Sequence, residues 1–172
     1  DGGYYILRGP NSWAMTRCCE YRDRPSHCDM LHVDLWYKGV NVLRDGGTFS
    51  YNCSEQYKSF QKYFYSTAAH NTVQIDGAEQ MIKGPRFLWF HWPRAKCLHW
   101  ESINDGSKDI FVGEQTSYLR QTGVIHRRTI CRIGDMYVIF DNLLGKGAHD
   151  VALRWRLCDT GWQQQEESPV SR

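Results

Sequence analysis

Hydrophobic and polar residues along this 172-residue chain alternate in short runs, and no long segment follows a helical period. Runs of β-branched and aromatic residues with a period of two are typical of half-buried strands, and Gly, Pro, Asn and Asp between the runs mark turns. Such runs lie at residues 4–8, 13–18, 31–37, 40–43, 72–75, 87–90, 96–100, 110–112, 124–132, 136–141 and 151–157. The pattern predicts about eleven to twelve strands.

Turn residues refine this prediction in three places. Asp76-Gly77 follows the run at 72–75 and is a hairpin-type signal, and Gly134-Asp135 separates the runs at 124–132 and 136–141. A turn is also predicted at Asn104-Asp105-Gly106. The polar tail at 163–168 is predicted to fray.

One segment departs from the strand pattern. Residues 52–66 lack alternation, and they are predicted to form a long functional loop that holds one or two helical turns. This loop separates two of the candidate ligand residues described below.

Strands at a spacing of roughly 8–12 residues indicate an all-β fold, an antiparallel, multi-stranded β-sandwich of the supersandwich type with few or no helices. The length suits one domain with a substantial core, and no linker or repeat divides it, so residues 1–172 are predicted to form a single domain. The chain begins with Asp1 rather than Met, and we expect it to be a fragment of a longer protein.

Composition excludes some classes of partner. The net charge is only +2 and the basic residues form no long run, which argues against nucleic acid. No stretch approaches the roughly 18 apolar residues of a membrane span, so no membrane partner is expected. The oligomeric state is not indicated by any feature of the sequence.

Aromatic and cysteine contents add two expectations. Aromatic residues make up 14% of the chain, which suits wide β-sheets and also contact with carbohydrate; packing within the protein is the simpler interpretation. The seven cysteines form no CxxC pair, and we expect mostly buried thiols.

The candidate chemistry lies between residues 24 and 72. His27, Asp45 and His70 each follow or precede a predicted strand, and two imidazoles with one carboxylate make a ligand set for a divalent metal with an open position. Hydrogen-bonded polar residues of the core are the alternative interpretation. His32 and Asp34 are predicted to share one strand face beside His27, either orienting a ligand imidazole or simply forming a polar face.

Several nearby side chains are candidates for contact with a substrate. Arg22 and Arg24 suit a carboxylate or sulfate, because Arg makes bidentate contacts, although solvated loop charges are an equal alternative. Asn71 is expected either to bind a substrate carboxylate or to cap its own turn. Candidates for assisting proton transfer are the loop tyrosines Tyr51, Tyr57 and Tyr63.

One basic cluster lies elsewhere in the chain. His126-Arg127-Arg128 is predicted to form a solvated strand face rather than a polyanion site.

Four motifs, in order, resemble one known family. They are Arg24-Pro25-Ser26-His27-Cys28-Asp29, Asp34-Leu35-Trp36, Asp45-Gly46-Gly47-Thr48 and His70-Asn71-Thr72-Val73. Together they are similar to the heparinase II/III-like polysaccharide lyases, and the similarity runs from Gly3 to about Trp162. In that family an (α/α) toroid precedes a β domain, and this chain resembles the β domain only.

The resemblance implies a function and a ligand set. The expected reaction is β-elimination on a uronic-acid polysaccharide of heparan, heparin or alginate type, by a bacterial protein of the periplasm or the cell exterior. The family's metal ligands, usually to zinc, match His27, Asp45 and His70. Pro25 stands where the family often has a substrate-handling His.

The same resemblance limits what this chain is expected to do alone. The family's acid and base residues lie mostly in the toroid, so we expect the isolated chain to be inactive and to form one metal-stabilised wall of the substrate cleft. Two other interpretations stay open: a carbohydrate-binding or structural domain without chemistry, and a cupin-like metalloenzyme.

Overall fold

The chain folds into antiparallel strands, which confirms the predicted all-β class. A computed structural model describes residues 2–103, 106–159 and 161. Within these residues the strands are β1 (Tyr4–Arg8), β2 (Ser12–Arg17), β3 (Val33–Tyr37), β4 (Val40–Leu43), β5 (Val73–Ile75), β6 (Ile82–Lys83), β7 (Trp89–Phe90), β8 (Ala95–Ile103), β9 (Lys108–Gln115), β10 (Ile125–Ile133), β11 (Met136–Leu144) and β12 (Val151–Leu153). The helices are α1 (Lys58–Tyr65) and α2 (Leu119–Thr122), with 3₁₀ turns at Glu55–Tyr57 and Thr67–Ala69.

Two four-stranded sheets form the sandwich. The first has the order β1-β2-β3-β4 and the second β11-β10-β9-β8. The β3–β4 hairpin turns at Lys38 and Gly39, both with positive φ (47° and 80°), a conformation that glycine adopts without steric cost. Sequence-adjacent strands pair throughout both sheets, as the turn signals predict.

A shared hydrophobic core joins the two sheets. Leu7 and Val33 of the first sheet pack in one cluster with Phe111 and Ile130 of the second, and all four are at most 1% exposed. Burial of this apolar area is the main stabilising term for a sandwich of this size.

The inner face of β10 also carries buried charge, so the predicted solvated face at His126-Arg127-Arg128 is wrong for two of the three residues. His126 and Arg128 point inward and are 0% exposed, while Arg127 points outward. Burial of Arg128 is possible because Asp141 pairs with its guanidinium at 2.7 Å.

Pairing of the short strands differs from the sequence prediction. The Asp76-Gly77 turn forms, with positive φ at both residues, but β5 does not pair with the next strand. Instead β5 pairs with β12, and β6 pairs with β7. The predicted strand at 151–157 ends at Leu153, and the run predicted at 31–37 begins only at Val33.

The predicted helical loop is present. The 3₁₀ turn at Glu55–Tyr57 and the two-turn helix α1 fill most of residues 52–66. The side chains Lys58, Gln61, Lys62 and Tyr65 repeat at helical spacing and therefore share one face of α1.

The structure also bears on the predicted thiols, on the membrane prediction and on two predicted polar segments. Three of the seven cysteines are buried and four are half-buried. Among the described residues, no helix is long and apolar enough to cross a membrane. Residues 104 and 105 of one predicted turn, and the tail at 163–168, lie outside the described residues.

Candidate functional site

A cavity of about 260 Å³ opens where the loops after β2 and β4 meet the start of β3. Its lining includes His27, His32, Asp34 and Asp45, and His70 lies directly behind Asp45. The fold therefore brings together the three predicted ligands and the two residues predicted to support them. The loop after β2 carries His27 and His32, and the segment between β4 and β5 carries Asp45 and His70.

Asp45 is the anionic centre of the group. His70 Nδ1 lies 3.0 Å from Asp45 Oδ2, and the backbone N–H of Gly47 donates to Asp45 Oδ1 at 2.6 Å. Burial acts to raise the pKa of Asp45, but the hydrogen bond and charge of His70 and the charge of His32 outweigh it, and the pKa lies well below its ordinary value. Asp45 is therefore an ionised carboxylate.

His70 directs one of its two ring nitrogens at this centre. Its Nδ1 is used by Asp45, and its Nε2 is buried without a hydrogen-bond partner among the described residues. A buried, unpaired imidazole nitrogen is costly unless something else binds it. The two ring nitrogens point apart, so an ion shared with Asp45 would be bound by Nδ1 in place of the hydrogen bond.

His32 lies closer to Asp45 than the sequence predicts. Among the described residues, ligand-type atoms of His32, Asp45 and His70 lie within 4.8 Å of one another. However, the backbone N–H of Asn71 donates to His32 Nδ1 at 2.9 Å, and burial lowers the pKa of His32 to about 4. The neutral ring therefore carries its proton on Nε2, which points at Asp45 Oδ2 at 3.5 Å and cannot ligate a metal.

His27 lies at the border of this cluster. Its ring centroid is 5.4 Å from that of His70, and its Nε2 lies 3.1 Å from the hydroxyl of Thr48. Burial, followed by the nearby charge of His70, lowers the pKa of His27, so its ring is neutral at neutral pH. The donor chemistry thus favours His27, Asp45 and His70 as the ligands, with His32 orienting Asp45.

Asp34 lies in the cavity wall beside His32, as predicted, whereas Asn71 does not face the cavity. Asp34 is nearly buried in the cavity wall, and burial raises the pKa of its carboxyl. Asn71 is 0% exposed, and its side-chain amide donates to the carbonyls of Val33 and Arg44. Asn71 therefore holds the loops together instead of facing a substrate.

Sequence reasoning missed a second polar group in the cavity wall. Arg17 and Asp29 pair at 2.6 Å, and the hydroxyl of Tyr21 donates to Asp29 at 3.1 Å. Asp29 belongs to the His-x-Asp motif that starts at His27, which is the only sequence signal for this group. Arg17 has none, because it lies at the end of an ordinary strand.

The remaining candidates lie on an exposed rim. The guanidinium of Arg24 lies 4.6 Å above the ring of Phe87, which stacks on Tyr51 at 5.8 Å. Arg22 is exposed nearby in the loop after β2. These residues are accessible to a ligand, as predicted, but they do not line the metal-type cavity.

The other two tyrosines occupy the loop as expected. Tyr57 is exposed beside Phe49, at a ring distance of 6.3 Å. The hydroxyl of Tyr63 accepts a hydrogen bond from Arg156 at 2.7 Å, so it is tied to the fold rather than free to exchange a proton.

These features define the class of protein: a β-sandwich domain whose connecting loops form a cavity lined by His and Asp side chains. The model of the heparinase II/III-like C-terminal family matches residues 1–168, and the chain belongs to that family. This result confirms the resemblance found in the sequence motifs.

Two curated relatives carry the same name. The chain is 23% identical over 138 residues to a heparin-sulfate lyase of Pedobacter heparinus, covering 80% of this chain and 18% of that protein. It is 25% identical over 167 residues to a heparin-sulfate lyase of Bacteroides stercoris, covering 90% and 22%. The chain thus spans about a fifth of the length of these relatives.

Solved structures share the fold. A heparinase III gene product aligns with a TM-score of 0.76 and 17% identity, over 94% of this chain and 24% of that one. Heparan sulfate lyase HepC of Pedobacter heparinus aligns with a TM-score of 0.74 and 20% identity, over 92% and 23%.

Proposed function

We propose that this chain is the β domain of a polysaccharide lyase that cleaves a uronic-acid glycosaminoglycan of heparin or heparan sulfate type by β-elimination. The observation that carries the proposal is the family match over residues 1–168. Both curated relatives are heparin-sulfate lyases, which favours a glycosaminoglycan over alginate.

The ligand arrangement supports a divalent metal, with zinc as the expected ion, at His27, Asp45 and His70. The 3.0 Å contact between His70 Nδ1 and the ionised carboxylate of Asp45 places two ligand-type atoms side by side, and this is the feature that fits the ion. A bound metal supplies a positive charge that ties three loop ends together. His32 directs its N–H at Asp45, and Asn71 fixes the ring of His32 by hydrogen bonding.

This chain's part in elimination is to form one wall of the cleft. The reaction needs neutralisation of the substrate carboxylate, removal of the neighbouring proton and protonation of the leaving oxygen. Arg24 on the rim and Arg17 in the cavity wall are cations suited to the first task. The base and acid belong, on this proposal, to an N-terminal helical domain of the longer protein, which acts in the periplasm or outside the cell.

A lyase assay on the longer protein tests this function. The reading frame that contains this chain is extended in both directions and expressed. We expect the extended protein to release unsaturated uronate, seen by ultraviolet absorbance, from heparan sulfate, and the 172-residue chain alone to release none.

Two results would contradict the proposal. Binding of heparan sulfate by the extended protein without any cleavage would favour a carbohydrate-binding domain without chemistry. Turnover by the chain alone would place the acid and base within residues 1–172. Family membership leaves the cupin-like alternative without support.

A further inference from the structure

A second concavity lies on the other side of Tyr65 from the metal-type cavity. It is a groove of about 670 Å³ between one face of α1 and the small β6–β7 sheet. Its size falls in the range of small-molecule and saccharide sites. We refer to this as the α1 groove.

Basic side chains dominate the rim of the α1 groove. Lys58 and Lys62 come from α1, and Lys83 comes from β6. Among the described residues that line the groove, Glu79 is the one acid, and its carboxylate is turned inward, accepting a hydrogen bond from the backbone N–H of Thr67 at 2.6 Å. The groove is therefore electropositive at its mouth.

The three lysines are not equally free. Lys83 donates to the backbone carbonyls of Gly84 and Arg86 and lies over the ring of Trp89 at 5.3 Å. Lys58 pairs with Glu55 in a solvent-exposed ion pair, which contributes little to stability. Lys62 makes no hydrogen bond or ion pair with any residue that the structure describes, so its charge is available to an anion.

The walls of the groove are aromatic and apolar. Tyr65 and Trp89 contact each other edge to face, with ring centroids 6.3 Å apart, and Met81 and Ile82 line the groove with them. Aromatic rings with a polar atom suit ligands that have one apolar face and one polar edge. A pyranose ring has this character, and sulfate or carboxylate groups on its edge would meet the lysines.

Tyr65 connects the groove to the candidate metal centre. Its ring meets His27 edge to face at 5.4 Å and meets Trp89 on the groove side. Tyr65 therefore lies between the candidate metal centre and the α1 groove, and the two sites are neighbours. Two adjacent sites along one chain of sugars would follow from this geometry.

We propose that the α1 groove is a second binding site for an anionic polysaccharide, in which Lys62 meets a sulfate or carboxylate and Trp89 stacks on a sugar ring. The identity of the ligand rests on the proposed function. The site itself rests on the groove, the free lysine and the aromatic wall.

Calorimetric titration of the 172-residue chain with a heparan sulfate hexasaccharide tests the site. Lys62→Gln is expected to weaken binding about threefold to fivefold and to reduce its salt dependence, because one exposed ionic contact is lost. Trp89→Ala is expected to weaken binding at least about fivefold, through loss of the stacked ring.

Matched controls lie on the β8–β9 side of the sandwich. Lys108→Gln and Trp100→Ala remove an exposed lysine and a partly exposed tryptophan outside the groove, and we expect both to bind as the wild type does. Circular dichroism checks the fold of each variant. Lys62→Gln changes only an exposed surface of α1. It therefore still tests the groove if Trp89→Ala disturbs the fold of β7.

The outcomes separate this site from the proposed function. Unchanged affinity in both groove variants, or no binding by the wild type, would overturn the site. Equal affinity for polyglutamate, unaffected by Trp89→Ala, would show a non-specific basic patch and also overturn it. If the extended protein shows no lyase activity but the groove variants still weaken binding, the proposed function is overturned and the binding site is not.

Discussion

At the scale of single residues, Asn71 fixes the side chains and backbone around the candidate metal centre. Its backbone N–H donates to His32, its side-chain amide donates to Val33 and Arg44, and its side-chain oxygen accepts from the backbone of Arg156 at 2.5 Å. One buried residue thus joins four segments and fixes the tautomer of His32. A substrate-binding role was the reasonable expectation from sequence, because an exposed amide and a buried amide look the same there.

Metal binding distinguishes the roles of the two neighbouring histidines. We expect the wild-type chain to bind close to one zinc ion, and His27→Ala to lose it, because a ligand is removed. His32→Gln should keep the stoichiometry while affinity falls about 10-fold to 100-fold, the usual effect of losing an orienting partner. Elemental analysis gives the stoichiometry, and competition with a chromophoric chelator gives the affinity.

The opposite pattern would identify a different ligand set. If His32→Gln lost the ion and His27→Ala retained it, the ligands would be the compact group His32, Asp45 and His70. Absence of metal from the wild type, together with a melting temperature unchanged by chelator, would remove the metal from the proposed function. Ala substitution of His99, an exposed histidine on β8, is the control and should change neither quantity.

Strand β10 is the element that ties the sheets to the ligand loops. Nη1 of Arg128 donates to the carbonyl of Leu31 at 2.7 Å and to that of Asn71 at 2.6 Å, while its other nitrogens pair with Asp141. Leu31 and Asn71 are the chain neighbours of His32 and His70. The inward face of β10 thus supports the backbone that carries the site.

Removing this anchor should destabilise the protein strongly. Arg128→Met removes the buried counter-charge of Asp141 and the donor to two backbone carbonyls, and we expect the free energy of unfolding to fall by about 3–5 kcal/mol. Arg127→Gln is the matched control: its side chain is 38% exposed and pairs with Glu114 on the outer face, so a loss of at most about 1 kcal/mol is expected. Urea denaturation measures both; equal losses would contradict the anchoring role of Arg128.

Buried ion pairs give the whole molecule a defined response to acid. Burial alone would raise the pKa of Asp141, but hydrogen bonds from His126 and Arg128 lower it to about 2. A carboxylate whose folded pKa is depressed stabilises the fold above its unfolded pKa of about 3.9, and this contribution is lost as pH falls through the folded value. The loss therefore lies between about pH 4 and pH 2.

Denaturation at a series of pH values checks this expectation. Between pH 5 and pH 2 the free energy of unfolding of the wild type should fall by about 2 kcal/mol more than that of Asp141→Asn, because the variant lacks the titrating group. The variant itself should be less stable at pH 7, since Arg128 is left buried without its counter-charge. Parallel curves for the two proteins across this range would show that Asp141 does not carry the acid sensitivity.

Local sequence patterns predicted most of the strands and turns, and the motifs indicated the family. Period-two alternation and Gly- or Asp-containing turns depend on neighbouring residues, so local patterns were sufficient to place β1 to β4 and β8 to β11. The spaced His and Asp motifs likewise indicated which residues meet at the cavity.

Three other features depend on contacts between residues far apart in the chain. The partner of β5 is β12, more than 70 residues later, and no local signal specifies so distant a pairing. Arg128 faces inward because Asp141 lies opposite it, and Asn71 is buried because three other segments converge on it. Burial and hydrogen bonding depend on what lies across space, and these set which imidazole nitrogens can bind a metal.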